Sequence, residues 1–186
     1  MLTEIEICNR ALQKIGEQPI TSFLDANSKE ARECSRVYAP IRNLLQRRYI
    51  WSFTKERKSI GASLPAPAFE FGAKFALPAD FLRLYDIVGR EKYSIEAGFI
   101  LSSASAPLQI IYCKLIEDST KFDPVFDELL ASRIAVELCE PFRQDGSKKQ
   151  LLLAEYQGIL SEALNSHAVE MYPVEFEETS WVDTRW

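Results

Sequence analysis

The chain has 186 residues, 47% of them hydrophobic and 26% charged, with a net charge of −5 and a pI of about 5.1. That balance suits one soluble globular domain carrying an inserted lobe, with core enough to stand without disulfide staples. The acidic total excludes a molecule that attracts nucleic acid as a whole, so any such contact requires a local basic face. No run approaches the ~18 apolar residues of a membrane span. The opening MLTEIEICNR carries acid early and lacks a signal-peptide pattern. The sequence predicts an intracellular, unprocessed protein with no membrane partner.

Thr3 and Glu6 have the spacing of a capping box, in which a hydroxyl and a carboxylate three residues on satisfy each other's free amides. Ile5, Cys8, Leu12 and Ile15 then recur at helical spacing, and Gly16 supplies the left-handed stop. After the loop EQPITSFLDA, Asn27 and Glu30 repeat the capping box and predict a second helix over 28–50. Its apolar stripe is Cys34, Val37, Tyr38, Ile41, Leu44 and Leu45, and Pro40 inside it predicts a kink or a split.

From Trp51 the pattern changes to short segments punctuated by Pro and Gly. Residues 82–88 and 108–115 read as strands, and YSIEAGFIL reads as a hairpin turning across 96–98. Helices return at Asp123-Pro124, an N-cap followed by a first-turn proline. Phe126, Leu129, Leu130, Ile134, Leu138 and Cys139 give the third helix a broad apolar side, to about 140. QDGSKK reads as a turn. A fourth helix over 147–165 points Leu152, Leu153, Tyr156, Ile159, Leu160, Ala163 and Leu164 inward.

The predicted class is mainly α with an inserted β lobe (α+β). A bundle of about four helices comes from 1–51 and 117–167, and a small antiparallel sheet from 52–116. An extended C-terminal tail, 168–186, has little helical period and is rich in acids from Glu170 onward. Its Tyr172, Phe176, Trp181 and Trp186 read as anchors for a partner's surface, or as a strand or arm packed on its own domain.

The four cysteines, Cys8, Cys34, Cys113 and Cys139, form no CxxC pair and read as buried free thiols. The single histidine, His167, reads as a helix-end cation. No phosphate loop, dinucleotide fingerprint, zinc-protease motif or nucleophile elbow occurs. The sequence therefore predicts no enzyme, and no catalytic, cofactor-binding or metal-binding residue.

One charge pattern stands out. Lys29, Arg32, Arg36 and Arg47 fall within about 60° of one another on an ideal helical wheel, opposite the apolar stripe. That face reads as an ordinary solvated helix surface, or as a sequence-blind surface for phosphate. Arg48 falls on the apolar side, to snorkel or to pair with an acid. In RRYIWSFTKERK, Arg47 ends the helix, while Trp51 and Phe53 share one face of an extended segment and fill the core between the lobes.

The stretch NRALQKIGEQPITSFLDANSKEARECSRVYAPIRNLLQRRYIWSF resembles the N-terminal region of the tail tubular protein A family of short-tailed phages. These are also called gatekeeper or head-to-tail adaptor proteins. The matching words are Ile15-Gly16-Glu17, Pro19-Ile20, Asp25-Ala26-Asn27, the arginine-bearing helix, and Trp51 with Phe53. ALPADFLRLYDI, residues 76–87, is similar to the Leu-Pro-x-Asp-Phe/Tyr turn into a strand in that family. The C-terminal helical pair matches by position, and the chain departs from the family in Pro40 and in its short aromatic tail.

The resemblance implies a helical bundle with a β lobe that assembles with itself into a ring, usually a dodecamer. The implied partners are a portal protein, a downstream tail or nozzle protein, and double-stranded DNA passing without sequence recognition. The implied place is the head–tail junction of a virion, phage or prophage, after synthesis in the bacterial cytoplasm. In that setting Lys29, Arg32, Arg36 and Arg47 become candidates for the DNA channel or a subunit interface. The alternative is a small intracellular nucleic-acid-binding or regulatory module using the basic 29–58 region. A tail-associated wall hydrolase ranks third.

Overall fold

The computed structural model describes residues 2–25 and 27–170, the last five by backbone alone. The chain is α+β: four helices and two small antiparallel sheets. The helices are α1 (Glu4–Ile15), α2 (Lys29–Arg48), α3 (Pro124–Arg143) and α4 (Gly146–Glu170). Between α2 and α3 lie β1 (Lys55–Ile60), β2 (Ala62–Ser63), β3 (Ala73–Ala76), β4 (Phe81–Ile87), β5 (Tyr93–Glu96), β6 (Phe99–Ser102) and β7 (Leu108–Lys114).

The start of α1 is the capping box that Thr3 and Glu6 predict, with Thr3 N donating to Glu6 Oε2 at 2.7 Å and Glu6 N to Thr3 Oγ1 at 3.2 Å. Gly16 ends the helix at φ +79°, a conformation that glycine adopts without steric penalty. Arg143, from the far end of α3, donates to the carbonyls of Ile15 at 2.8 Å and Gly16 at 2.6 Å. A cation thus sits where the last carbonyls of α1 concentrate negative charge.

The second helix begins one residue later than its expected cap. Ser28, not Asn27, is the N-cap, accepting from Ala31 N at 3.0 Å, while Asn27 N turns back to Asp25 Oδ1. Pro40 does not split α2, which runs unbroken from Lys29 to Arg48. Pro40 lies on the exposed side of the helix, so the Arg36 carbonyl that loses its intrahelical partner is not shut into the core. Leu44 is 47% exposed and does not belong to the apolar stripe; Arg42 and Gln46 are buried beside it instead.

Helix α3 is central and packs against α1, α2 and α4. It is therefore buried on several sides, from Phe126 through Cys139. Helix α4 lies chiefly on α3 and, among the side chains described, buries Leu152, Tyr156 and Ala163. Leu153 and Leu164, expected inside, are exposed, because one neighbouring helix covers a narrower strip than the apolar arc the sequence offers. Trp51 is buried in this helical core, with its ring 5.1 Å from that of Phe126 and 6.2 Å from that of Phe53. Residues 52–54 form a 3₁₀ turn rather than an extended segment.

The strands form a three-stranded sheet ordered β1-β7-β4 and a four-stranded sheet ordered β2-β3-β6-β5. Ile60, Phe75, Ile87, Ile100, Leu108, Ile110 and Tyr112 make a second core between them. The hairpin of β5 and β6 turns at Ala97 and Gly98, both with positive φ, as a two-residue turn of type I′ requires. All four cysteines are free and buried. The Cys8 thiol is pushed up by its hydrogen bond with Cys34 and by burial. Tyr172, Phe176, Trp181 and Trp186 lie outside the described residues, as does the side chain of His167.

Asp127, in the first turns of α3, is 1% exposed. Its Oδ2 accepts from Leu2 N at 3.1 Å, and its Oδ1 has no partner among the described residues. Burial pushes its carboxyl up, against the opposing pull of the Leu2 amide and Arg10. A raised carboxylate favours folding below its unfolded value, about pH 4, and loses that contribution as pH rises through the folded value. Asp127→Asn keeps an acceptor for Leu2 and removes the charge. It is expected to raise the denaturation midpoint at pH 7 and to match the native chain at pH 3; a lower midpoint at pH 7 refutes this account. Gly16→Ala is expected to lose about 1–2 kcal/mol in urea unfolding. The new Cβ would meet the Arg143 guanidinium at 2.9 Å in addition to the strained φ.

Candidate functional site

The two cores meet where the last turns of α2 reach the three-stranded sheet. Gln46 is fully buried there. Its Nε2 donates to the Ile116 carbonyl at 2.8 Å, and its Oε1 accepts from the Ile116 amide at 3.0 Å. A side-chain carboxamide thus pairs with one backbone residue just beyond β7 as a neighbouring strand would. The Cys113 thiol donates to the Gln46 carbonyl at 3.3 Å, on the same side of β7.

Arg42, one turn earlier and 5% exposed, donates to the Glu117 carbonyl at 3.3 Å and has carboxylates of Glu117 and Glu4 at 3.4 and 3.7 Å. Thr54 and Tyr85 join their hydroxyls at 3.2 Å, and burial, with Cys113 beside it, pushes Tyr85 up to about 12. Sequence reasoning missed this junction. The available signal was the i, i+4 polar pair Arg42 and Gln46 alongside Ile41 and Leu45, too polar for the stripe and too near it for solvent.

The expected basic face exists as a line of exposed side chains on α2, about 27 Å from Lys29 to Arg47. Its members do not converge on one ligand. Lys29 donates to the Pro141 carbonyl at 2.7 Å and lies 4.5 Å from the Phe142 ring centroid, tying α2 to the end of α3. Arg36 holds Glu33 through Nε at 3.0 Å and Nη2 at 2.6 Å. Arg47 donates to the Leu82 carbonyl of β4. Arg32 is exposed between them.

A second group of cations gathers around that junction. Arg48 is exposed, with its guanidinium 5.5 Å from the Tyr49 ring centroid rather than on the apolar side. Arg83 of β4 donates to the Arg48 carbonyl at 3.1 Å. In the sheet register Lys55 and Arg83 flank Cys113, and Arg57 and Asp86 flank Ile111, so all four side chains share one face. Beside Arg57 and Lys58, a groove of about 290 Å³ is floored by Ile110, Ile111 and Val88. Among the described residues, none of Arg48, Lys55, Arg57, Lys58 and Arg83 makes an ion pair. Also among them, no three His, Cys, Asp or Glu side chains come together as a metal site would need, and no helix is long and apolar enough to cross a membrane.

No protein-family model matches the sequence. No curated protein matches it either.

The Gln46–Ile116 pairing makes a direct prediction. Gln46→Leu keeps the volume but leaves a buried amide and carbonyl without partners, so unfolding in urea is expected to show a loss of about 2–4 kcal/mol. Arg36→Ala, which removes only a surface pair, is expected to change stability by less than about 0.5 kcal/mol. Equal effects of the two substitutions would refute the role given to Gln46.

Proposed function

We propose that the protein is a head-to-tail adaptor of a short-tailed phage or prophage. It docks as a ring on a portal protein, continues the DNA channel and receives the next tail component. The observation that supports this reading is the order of parts. Two helices, a β lobe and two further helices follow one another as the N-terminal resemblance implies, and the quoted family words fall at structural turning points. Ile15-Gly16-Glu17 is the stop of α1, Pro19-Ile20 is the loop held by Asn9, and Pro78-Ala79-Asp80-Phe81 leads into β4.

An adaptor must hold two partners at a set separation while load passes between them. The buried Gln46 pairing and the Arg42 contacts suit that demand, because they join the lobes through directional bonds rather than through apolar contact alone. Residues 171–186 supply aromatic anchors for a neighbour's surface under this reading. DNA that must move needs attraction without a tight site. A line of helix-borne cations, several of them engaged by carbonyls or by Glu33, suits passage better than a dense patch would.

The test is assembly. Purified protein mixed with the portal protein encoded beside it is expected to form a ring on the portal, visible by electron microscopy. Failure to associate, together with complete virions after deletion of the gene, would overturn the proposal.

A further inference from the structure

Besides the helix face, the described residues carry a second group of cations on the surface around the end of α2. Lys55 and Arg57 from β1 and Arg83 from β4 are brought onto one face by the β1-β7-β4 register, and Arg83 donates to the backbone carbonyl of Arg48, whose own guanidinium lies at the Tyr49 ring. None of the four makes an ion pair among the described residues, in a protein whose net charge is −5. By contrast, Arg10, Lys14, Arg36, Arg42, Arg133 and Lys149 all have carboxylates within reach. One neighbouring acid lies on this face and one does not, so three sheet cations stand against a single carboxylate. Asp86 shares the face and accepts from the Ile87 amide at 2.9 Å, while Glu56 points to the other face, 3.7 Å from Lys114.

We propose that this face, formed by Arg48, Lys55, Arg57 and Arg83, is a sequence-blind binding surface for the phosphate backbone of duplex nucleic acid. Its spacing fits. Lys55 and Arg57 are two residues apart on one strand, about 6.8 Å, which spans two rises of about 3.4 Å per strand along the duplex axis. Lys55 and Arg83 stand across β7, about 10 Å apart at the backbone. One donor of Arg83 is fixed on a carbonyl, so the guanidinium is held in place with its other donors left for a ligand.

A protein partner would call for an apolar centre with a polar rim. Here α2 covers the middle of the face at Cys113, the open surface around it is cationic, and the exposed Val88 lies at the margin. Nothing on this face reads base edges, so the contact carries no sequence preference. The inference does not depend on the adaptor reading.

The test is fluorescence anisotropy of the full-length protein with a labelled duplex of about 20 base pairs and arbitrary sequence. Four phosphate contacts give a salt slope of about −3.6, so affinity should fall roughly 150-fold between 50 and 200 mM salt. Lys55→Ala/Arg57→Ala should weaken binding about tenfold or more at 50 mM salt and reduce the slope by about 2. Both residues are exposed, and an unchanged melting temperature shows that the variant is folded. If it is not, Lys55→Gln/Arg57→Gln keeps the side-chain stems. Arg10→Ala/Lys121→Ala, at exposed cations that pair with carboxylates away from both basic surfaces, should bind as the native chain does.

A dissociation constant above about 100 µM at 50 mM salt would overturn the proposal. So would unchanged binding by the Lys55/Arg57 variants, or competition by polyglutamate equal to that of duplex at the same charge. Binding of duplex with no portal association and complete virions after deletion of the gene upholds this surface and defeats the adaptor; binding of a portal without duplex does the reverse.

Discussion

The structure depends on one pairing, the carboxamide of Gln46 with the backbone of Ile116. A helix that ends against the end of a central strand leaves polar groups of both elements facing a region without water. Each unpaired buried amide or carbonyl there is destabilising by about 1–3 kcal/mol. A glutamine on the last turns of α2 answers both groups of Ile116 at once. The two apolar cores can therefore lie on either side of a polar seam without leaving it unsatisfied. The same device recurs in the N-terminal loop, where Asn9 pairs with both backbone groups of Ile20 at 2.7 and 2.9 Å. In both places a side-chain amide does the work of a strand that is not there.

Around the seam, charge is handled in two ways. Buried or half-buried cations are matched: Arg42 with Glu4 and Glu117, Lys14 with Glu128 and Glu155, Arg143 with carbonyls of α1. For Lys14, burial alone would lower the affinity for its proton, yet the two glutamates outweigh it and hold the ammonium above its ordinary value. Among the described residues the cations of the sheet face are unmatched by carboxylates: Lys55 and Arg57 are exposed, and the half-buried Arg83 is held by the Arg48 carbonyl. Matching inside and leaving one outer face unmatched is what an acidic protein requires if it is to present a local positive field.

Much of the fold was legible in the sequence because its signals were local. The Thr3–Glu6 box, the glycine stop, Asp123-Pro124 and the Ala97-Gly98 turn each rest on chemistry within four residues. One miss was local, at the cap of α2, and the others were non-local. Ser28 outcompeted Asn27 as a cap because Asn27's amide is held by Asp25. Leu44, Leu153 and Leu164 have helical phase for the core, but exposure depends on which neighbour arrives, and periodicity carries no information about that. The basic face on α2 was legible as a line, whereas the closer grouping with Arg83 was not. Arg83 joins Arg48 and Lys55 only through strand register, across 35 residues of chain in the case of its bond to Arg48.

The Arg143 clasp on α1 has a bearing on the order in which the protein forms during synthesis. The carbonyls it holds belong to Ile15 and Gly16, separated from it by 128 and 127 residues. Every strand pairing, by contrast, lies within 55–114. A ribosome adding about 5–20 residues per second completes the β lobe before α3 exists, and roughly 1.5–6 s pass between residues 114 and 143. Through that interval α1 and α2 carry apolar faces whose cover has not yet been made. The inserted lobe is thus the first part able to close, and the first two helices wait for a chaperone or for their own second half.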